Sequence, residues 1–233
     1  IIKGEKYEFI EPQNTEKTVF GIFSKTIPGG ANGFVCTMNE SALSKKQIED
    51  LAAYGRANTD SSIGKMSDRK YRTMRLALSV TGEYTKFFGG VPQALAQMNA
   101  TMTRVNGVFE NEFALHLNMI DKPEIIFTDP DTDPYSPASS MSNWNLELQK
   151  TLTAVVGEAN YDIGHLFGAS GGGGNAGCIG CVCVSPTLDA NGVATTKAKG
   201  SGITSPADGK PFGDNFDIDY VAHEIGHQLG ANH

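Results

Sequence analysis

The alternation of hydrophobic and polar residues predicts a strand that begins near residue 71. Apolar side chains occupy every second position there, with small or charged residues between them: Met74, Leu76, Leu78 and Val80. A period of two places these side chains on one face of a strand, which packs against a core. Shorter patterns of similar composition predict further strands at residues 115–119, 125–127, 161–167 and 179–184.

Helical periods separate these strands. Apolar residues recur at steps of three and four from Val91 to Phe109, and Pro92 suits the first turn of a helix. A second helix is predicted between Ser142, as its N-cap, and Gly157, which ends it. Both patterns describe helices with one face packed on a sheet.

A third helix is predicted at about residues 216–229. Its apolar residues again recur at three and four: Ile218, Val221, Ile225 and Leu229. The elements follow in the order strand, helix, strand, helix, strand, strand, helix. This order predicts an α/β domain with a mixed, mostly parallel twisted sheet, long helices and one helix at the C-terminal end of the chain.

The N-terminal part differs from the rest in its pattern. We predict a separate module at residues 1–65 and a main domain at residues 66–233. The module is expected to contain strands at residues 7–10 and 18–23, a turn at residues 28–30 and a short helix capped by Ser44. Polar and basic residues at positions 58–72 predict an exposed linker, a kind of segment that proteases cut readily.

Composition and charge exclude some classes of function. The 233-residue chain has a net charge of -7 and scattered basic residues, so nucleic acid is not an expected partner. Hydrophobic residues make up 39% and charged residues 19%, which allows a buried core. No apolar run reaches the length of a membrane span. The oligomeric state is left open by these observations.

Three of the four cysteines lie close together: Cys178, Cys181 and Cys183. The spacing of the first two resembles half a zinc knuckle or a redox pair, but no second pair follows. Disulfide pairing in an oxidising compartment is the favoured interpretation. The fourth cysteine, Cys36, lies in the N-terminal module.

The most specific chemical pattern occupies residues 223–233. His223 and His227 are four residues apart on the third predicted helix, so their imidazoles lie on one side and can bind one metal ion. Gly230 can adopt the left-handed conformation that ends a helix and reverses the chain. His233 then approaches the same ion. Three histidine ligands leave a fourth position open, which is typical of a catalytic zinc site.

Glu224 follows the first of these histidines, so its carboxylate reaches a water at the metal without ligating the metal. A carboxylate placed there can accept the proton of a water that attacks a peptide carbonyl and then protonate the leaving amine. Zn²⁺ is therefore the expected cofactor. Two competing interpretations are a helix with incidental histidines and a closed structural zinc site, but the latter normally shows a fourth Cys or His ligand.

Residues 223–233 match the metzincin pattern H-E-x-x-H-x-x-G-x-x-H in full, and the chain resembles reprolysin- or adamalysin-like zinc metalloproteases of the bacterial type. The likeness extends over roughly residues 70–233 and includes residues 71–90, 161–165 and 217–222. It implies a secreted endopeptidase that acts on protein or peptide substrates. It also implies that the substrate pairs with an exposed edge strand, which we place within residues 177–184.

The resemblance further implies a zymogen. Residues 1–65 then correspond to the end of a propeptide, and Cys36 is a candidate switch ligand that occupies the fourth zinc position. The competing interpretation is that Cys36 is disulfide-bonded or simply buried. A Met-containing turn is expected after the third histidine, so we expect that the chain was cut or trimmed after His233, a change that puts activity in doubt.

Two weaker candidates complete the set. Asp129, Asp131 and Asp133 are spaced as in a calcium loop, but the Gly and Glu of an EF-hand are missing. A solvated Pro/Asp turn is therefore favoured over a Ca²⁺ site. His165 is expected to be a hydrogen-bonded core or loop histidine rather than a second metal ligand.

Zinc endopeptidase is thus the leading function. A latent form is the first alternative, and a zinc-binding or interaction module of the same fold without proteolytic activity is the second. Glu224 argues against the second, because a pure binding module has no use for a carboxylate beside the first ligand. The cleavage preference is not indicated by the sequence.

Overall fold

The computed structural model describes residues 2–3, 6–12, 18–25, 35–38 and 70–233. The predicted turn at residues 28–30, the helix capped by Ser44 and nearly all of the predicted linker lie outside the described residues. The two predicted N-terminal strands are present and pair with each other antiparallel.

The strands of the described residues form two sheets. The smaller one contains β1 (Ile2–Lys3), β2 (Lys6–Pro12) and β3 (Phe20–Lys25). The larger one contains β4 (Val35–Cys36), β5 (Arg72–Val80), β6 (Leu115–Met119), β7 (Ile163–Phe167), β8 (Gly173–Asn175) and β9 (Gly202–Ser205). Its order is β4-β8-β9-β7-β5-β6, and only β8 and β9 pair antiparallel. The predicted α/β class with a mixed, mostly parallel sheet is confirmed.

Four α-helices accompany the described part of the large sheet: α1 (Gly82–Phe88), α2 (Val91–Phe113), α3 (Trp144–Val155) and α4 (His223–Gln228). A π-helix at Asn215–Ala222 runs directly into α4, and 3-10 turns lie at Pro123–Ile125, Ala138–Asn143 and Glu158–Asn160. Among the described helices, none combines the length and apolar character needed to cross a membrane.

The large sheet is buried on both faces, although the sequence predicted a core on one face of β5 only. Leu76 and Leu78 pack with α2 and the π-helix in one core. Ala77 packs on the opposite face, in a second core that contains Trp144 of α3. The small residues between the large ones in β5 therefore face a second layer of protein rather than solvent.

Two predicted strands are absent from the described structure. At residues 125–127, Ile126 donates its N–H to the carbonyl of Pro123 at 3.0 Å, which closes a 3-10 turn, and a single bridge joins it to Val80. Residues 179–184 form a loop, because Gly180 and Cys183 have φ angles of 69° and 63° and cannot extend a strand.

The helix predicted at residues 216–229 exists, but its first half is wound as a π-helix. The wider winding changes which residues face the core. Phe216 and Tyr220 are buried, whereas Ile218, expected on the apolar face, is only partly buried. π-Helical turns within helices often accompany functional sites, and this one ends where the His-Glu pair begins.

Candidate metal centre

Helix α4 and the turn that follows it bring three histidines together. The Nε2 atoms of His223 and His227 are 3.1 Å apart. After α4 the chain turns at Gly230, whose φ is 113°, a value that disfavours any residue with a Cβ. The ring of His233 then lies with its centre 4.6 Å from that of His227 and 5.5 Å from that of His223. The three rings therefore converge on one point.

A fourth possible ligand comes from the N-terminal part of the chain. Strand β4 pairs in parallel with β8, and this pairing places the Cys36 Sγ 3.7 Å from the Nε2 of His227. One ligand atom each from Cys36, His223, His227 and His233 lies within 4.8 Å of the other three. The thiol is not in a disulfide. Its position is that of a fourth member of the cluster.

The donor set suits Zn²⁺, which binds imidazole nitrogen and thiolate sulfur in tetrahedral sites. The Nδ1 of His227 lies 2.7 Å from the Ala231 carbonyl, so Nδ1 carries the proton and Nε2 keeps its lone pair for the cluster. Burial, together with His227 and His233, lowers the pKa of His223, which favours the neutral, ligand-competent ring. Burial, followed by the charge of Glu224, raises the pKa of Cys36 to about 12. A divalent cation in the cluster reverses that effect on the thiol.

Glu224 lies beside Cys36 of the cluster and is fully buried. Neither of its carboxylate oxygens has a hydrogen-bond partner of normal geometry within the described residues. Burial raises its pKa to about 8, with Cys36 and the Ala176 N–H acting in the opposite direction. A buried carboxylate without well-formed hydrogen bonds is costly, so this position is unusual for a residue with only a structural role.

Residues 177–184, where an exposed edge strand that pairs with substrate was predicted, contain no strand, and the described strand beside Glu224 is β8. It is the antiparallel neighbour of β9 and pairs on its other side with β4. Its Gly174 backs directly onto Glu224, so that a Cβ there would overlap the carboxylate. The second half of the glycine run, which the sequence predicted as a flexible loop, is thus part of a strand in which Gly174 has no room for a side chain.

A second buried polar group on α4 anchors the helix to the sheet. His165 of β7 is fully buried, and its Nδ1 donates to the Oε1 of Gln228 at 2.7 Å. Its Nε2 accepts from the Thr204 hydroxyl at 2.8 Å, and the Gln228 amide donates to the Gly164 carbonyl at 2.9 Å. His165 is therefore a hydrogen-bonded core histidine, as expected. The role of Gln228 was missed; an amide beside the apolar face of a helix was the available signal.

The cysteine-rich loop supports the turn after α4. Cys178 and Cys181 are joined by a disulfide, and Cys183 is free and exposed. Between them, Gly180 donates its N–H to the carbonyl of His227 at 3.1 Å. Its Cα also lies against Gly230. The loop therefore fixes both the end of the helix and the reversal of the chain.

The acidic loop at residues 129–133 is occupied by contacts within the protein. Asp129 accepts from Lys86 at 3.2 Å, and Asp133 accepts from the N–H groups of Gly82 and Tyr135 at 2.7 and 3.0 Å. Within the described residues, the group around Cys36 is the cluster suited to a metal, and these aspartates form none. Calcium is therefore not supported, and the favoured Pro/Asp turn fits the contacts.

Comparison with known families agrees with this geometry. The family described as metallo-peptidase family M12B, reprolysin-like, matches residues 70–233. The chain belongs to this family. The match covers the large sheet from β5 onward, α1 to α4 and the three histidines. A zinc metallopeptidase that acts on protein or peptide substrates is the class that family and fold define. A search of curated proteins found no match to the chain.

Proposed function

We propose that the chain is the latent form of a secreted zinc endopeptidase. The observation that carries the proposal is the convergence of four ligand atoms, from Cys36, His223, His227 and His233, beside the buried carboxylate of Glu224. A structural site needs no such carboxylate. A catalytic site does, because the attacking water must lose a proton.

The three histidines are the proposed permanent ligands. A zinc ion held by them would polarise the carbonyl of the scissile bond and lower the pKa of a water. The Ala231 carbonyl holds the ring of His227 in the tautomer that presents Nε2. Gly230 allows the chain reversal that delivers His233.

Glu224 is the proposed general base and acid. Its carboxylate accepts a proton from the attacking water and returns it to the nitrogen of the leaving amine. Burial raises its pKa to about 8, which makes the carboxylate a stronger base toward the proton of the attacking water. Because Gly174 has no side chain, the carboxylate fits directly beneath β8.

Cys36 is the proposed inhibitory ligand. With zinc held by the three histidines, its thiolate would bind the same ion and thereby exclude a water there. In this account residues 1–65 are the remnant of a propeptide and residues 66–233 the catalytic domain. The disulfide between Cys178 and Cys181 supports secretion, because disulfides persist in oxidising compartments.

The test is chelator-sensitive hydrolysis of casein or gelatin by the zinc-loaded full chain. The parent chain is expected to be nearly inactive, and Cys36→Ala is expected to release activity by opening the fourth position. Cys183→Ala is the matched control, since that thiol is exposed and lies outside the cluster; it should leave latency intact.

Two results would remove the proposal. Proteolysis that survives chelation excludes the zinc mechanism. Stoichiometric zinc without cleavage in either cysteine variant favours the alternative, a zinc-binding or interaction module without proteolytic activity.

A further inference from the structure

The segment that carries Cys36 is held on β8 by more than its cysteine. The N–H of Val35 donates to the carbonyl of Gly172 at 3.1 Å, and the N–H of Thr37 donates to the carbonyl of Gly174 at 2.9 Å. Such main-chain bonds form with any strand that pairs here in this register. They do not by themselves select an occupant for the edge of β8.

Asn175 adds a contact from a side chain. Its Nδ2 donates to the main-chain carbonyl of Thr37 at 2.9 Å and to the Thr37 hydroxyl, also at 2.9 Å. The same hydroxyl donates to the Gly174 carbonyl at 3.0 Å. Both amide hydrogens of Asn175 are thus used, on the residue directly after Cys36.

The direction of the Asn175 amide is fixed from the other side. Its Oδ1 accepts from the N–H of Gly177 at 2.7 Å, so Nδ2 must face the β4 segment. The other two residues of β8 are glycines, and Gly174 cannot carry a side chain without displacing Glu224. Asn175 is therefore the β8 residue whose side chain can donate hydrogen bonds to a segment paired with this strand.

We propose that Asn175 is a positioning residue that retains the Cys36 segment by binding the main-chain carbonyl of Thr37, next to the cysteine. The inference rests on the proposed function, because it assigns the residue that holds the inhibitory ligand in place. One of the two hydrogen bonds from Asn175 goes to a main-chain carbonyl, which any residue at position 37 provides. Replacing Thr37 should therefore weaken retention of the Cys36 segment less than replacing the amide of Asn175.

The experiment measures how fast a small disulfide reagent modifies Cys36 in the zinc-loaded full chain. Cys183→Ser serves as the background, which leaves Cys36 as the free thiol to be counted. Asn175→Asp retains an oxygen for the Gly177 N–H and loses both donors, whereas Asn175→Ala loses all three bonds. The control is Asn99→Ala, an exposed asparagine on α2 whose amide donates to the Leu95 carbonyl.

Modification of Cys36 should be about tenfold faster in Asn175→Asp, because two modest hydrogen bonds to the segment are lost. Asn175→Ala should be at least as fast. Thr37→Val, which keeps the carbonyl and removes only the hydroxyl, should be about two- to threefold faster. Asn99→Ala should match the background.

A background rate in Asn175→Asp would overturn the proposal even if Asn175→Ala were faster, because the residue would then act only through Gly177. Metal-free protein separates this result from failure of the proposed function. If zinc never slows the modification, Cys36 is not a metal ligand. In metal-free protein, the relative rates of Cys36 modification in the variants still show whether Asn175 holds the segment.

Discussion

Glu224 and Gln228 are buried polar side chains one turn apart on helix α4, and they differ in how their polar atoms are satisfied. Gln228 is 2% exposed, and its amide accepts from His165 and donates to Gly164. Glu224 is fully buried, yet its carboxylate has no partner of normal geometry in the described part of the chain. Gln228 anchors the helix to the sheet, whereas Glu224 lies beside Cys36 without a well-formed hydrogen bond.

The difference in hydrogen bonding distinguishes a polar group with a structural role from one with a chemical role. A buried amide with its hydrogen bonds made costs little and fixes a unique packing. A buried carboxylate without them lowers stability and persists where something else requires it. On the same helix, the satisfied group therefore indicates anchoring and the unsatisfied group indicates chemistry.

The largest expected effect follows from removing the unpaired carboxylate. Glu224→Gln in the Cys36→Ala background should lower chelator-sensitive hydrolysis by about 10²–10⁴-fold, because proton transfer contributes that much. Zinc content should stay stoichiometric, since the ligands are untouched. Peptide cleavage and metal analysis on the same samples measure both. Activity retained in this variant would assign the base to another group.

Removing the hydrogen-bond partner of Gln228, which anchors helix α4 to the sheet, is expected to lower the stability of the fold. His165→Ala removes a fully buried ring and leaves the Gln228 and Thr204 groups without partners, at an expected cost of about 2–4 kcal/mol in the free energy of unfolding. Urea denaturation measures it. His116→Ala, at a partly exposed histidine of β6, is the control and should cost less than about 1 kcal/mol. Equal losses would contradict an anchoring role.

The unpaired carboxylate also predicts a pH effect in metal-free protein. Its folded pKa, about 8, lies above the ordinary value of 4.5, so the folded state binds more protons between these values and stability falls as pH rises. Between pH 6.5 and 8 the slope should reach up to about 1.4 kcal/mol per pH unit. His165, whose pKa burial lowers from 6.5 to about 4, acts in the opposite direction at the lower end of that window, because the unfolded imidazole still binds protons near pH 6.5; its effect fades above about pH 7.5.

Glu224→Gln is the matched control for this pH effect, because it removes the titrating group and keeps the shape. Denaturant unfolding at several pH values in a chelating buffer gives the slope for each protein. A slope that persists in the variant would place the titration on a different residue.

The smallest effect is expected for a polar pair at the surface. Arg75 donates to the carboxylate of Asp162 at 2.7 and 3.1 Å, and about half of the Arg75 side chain is exposed. Arg75→Ala should lower the free energy of unfolding least among these changes, and by less still in 1 M NaCl, because exposed pairs are screened. If Arg75→Ala lowered the free energy of unfolding as much as His165→Ala, at any salt concentration, the expected difference between surface and buried polar pairs would be wrong.

Periodicity predicted much of the fold. The strand at β5, the long helix α2 and the final helix each follow from apolar spacing. What it missed depended on tertiary contacts. Both faces of β5 are covered, residues 179–184 are bent by Gly180 and Cys183, and the π-helix changes the inward face before His223. Apart from Gly180, whose residue type permits the bend, none of these follows from local sequence.

The residues of the candidate site likewise fall into those that the sequence predicts and those that only the tertiary structure shows. Four of its residues lie within eleven positions, and the helical period alone places His223 beside His227. Cys36 is distant in sequence, and its position depends on the pairing of β4 with β8. Gly174 and Asn175 were missed because a run of glycines predicts a loop. Only the sheet shows that these residues form the edge beside Glu224.

The account depends most on a cluster of three imidazoles and one thiolate around a single ion. Zinc-edge X-ray absorption of the zinc-loaded full chain tests this directly. We expect one sulfur at about 2.3 Å and three nitrogens at about 2.0–2.1 Å, with the sulfur lost in Cys36→Ser. A first shell of nitrogen and oxygen alone in the parent chain would contradict the latent state, and failure to bind stoichiometric zinc would contradict the site itself.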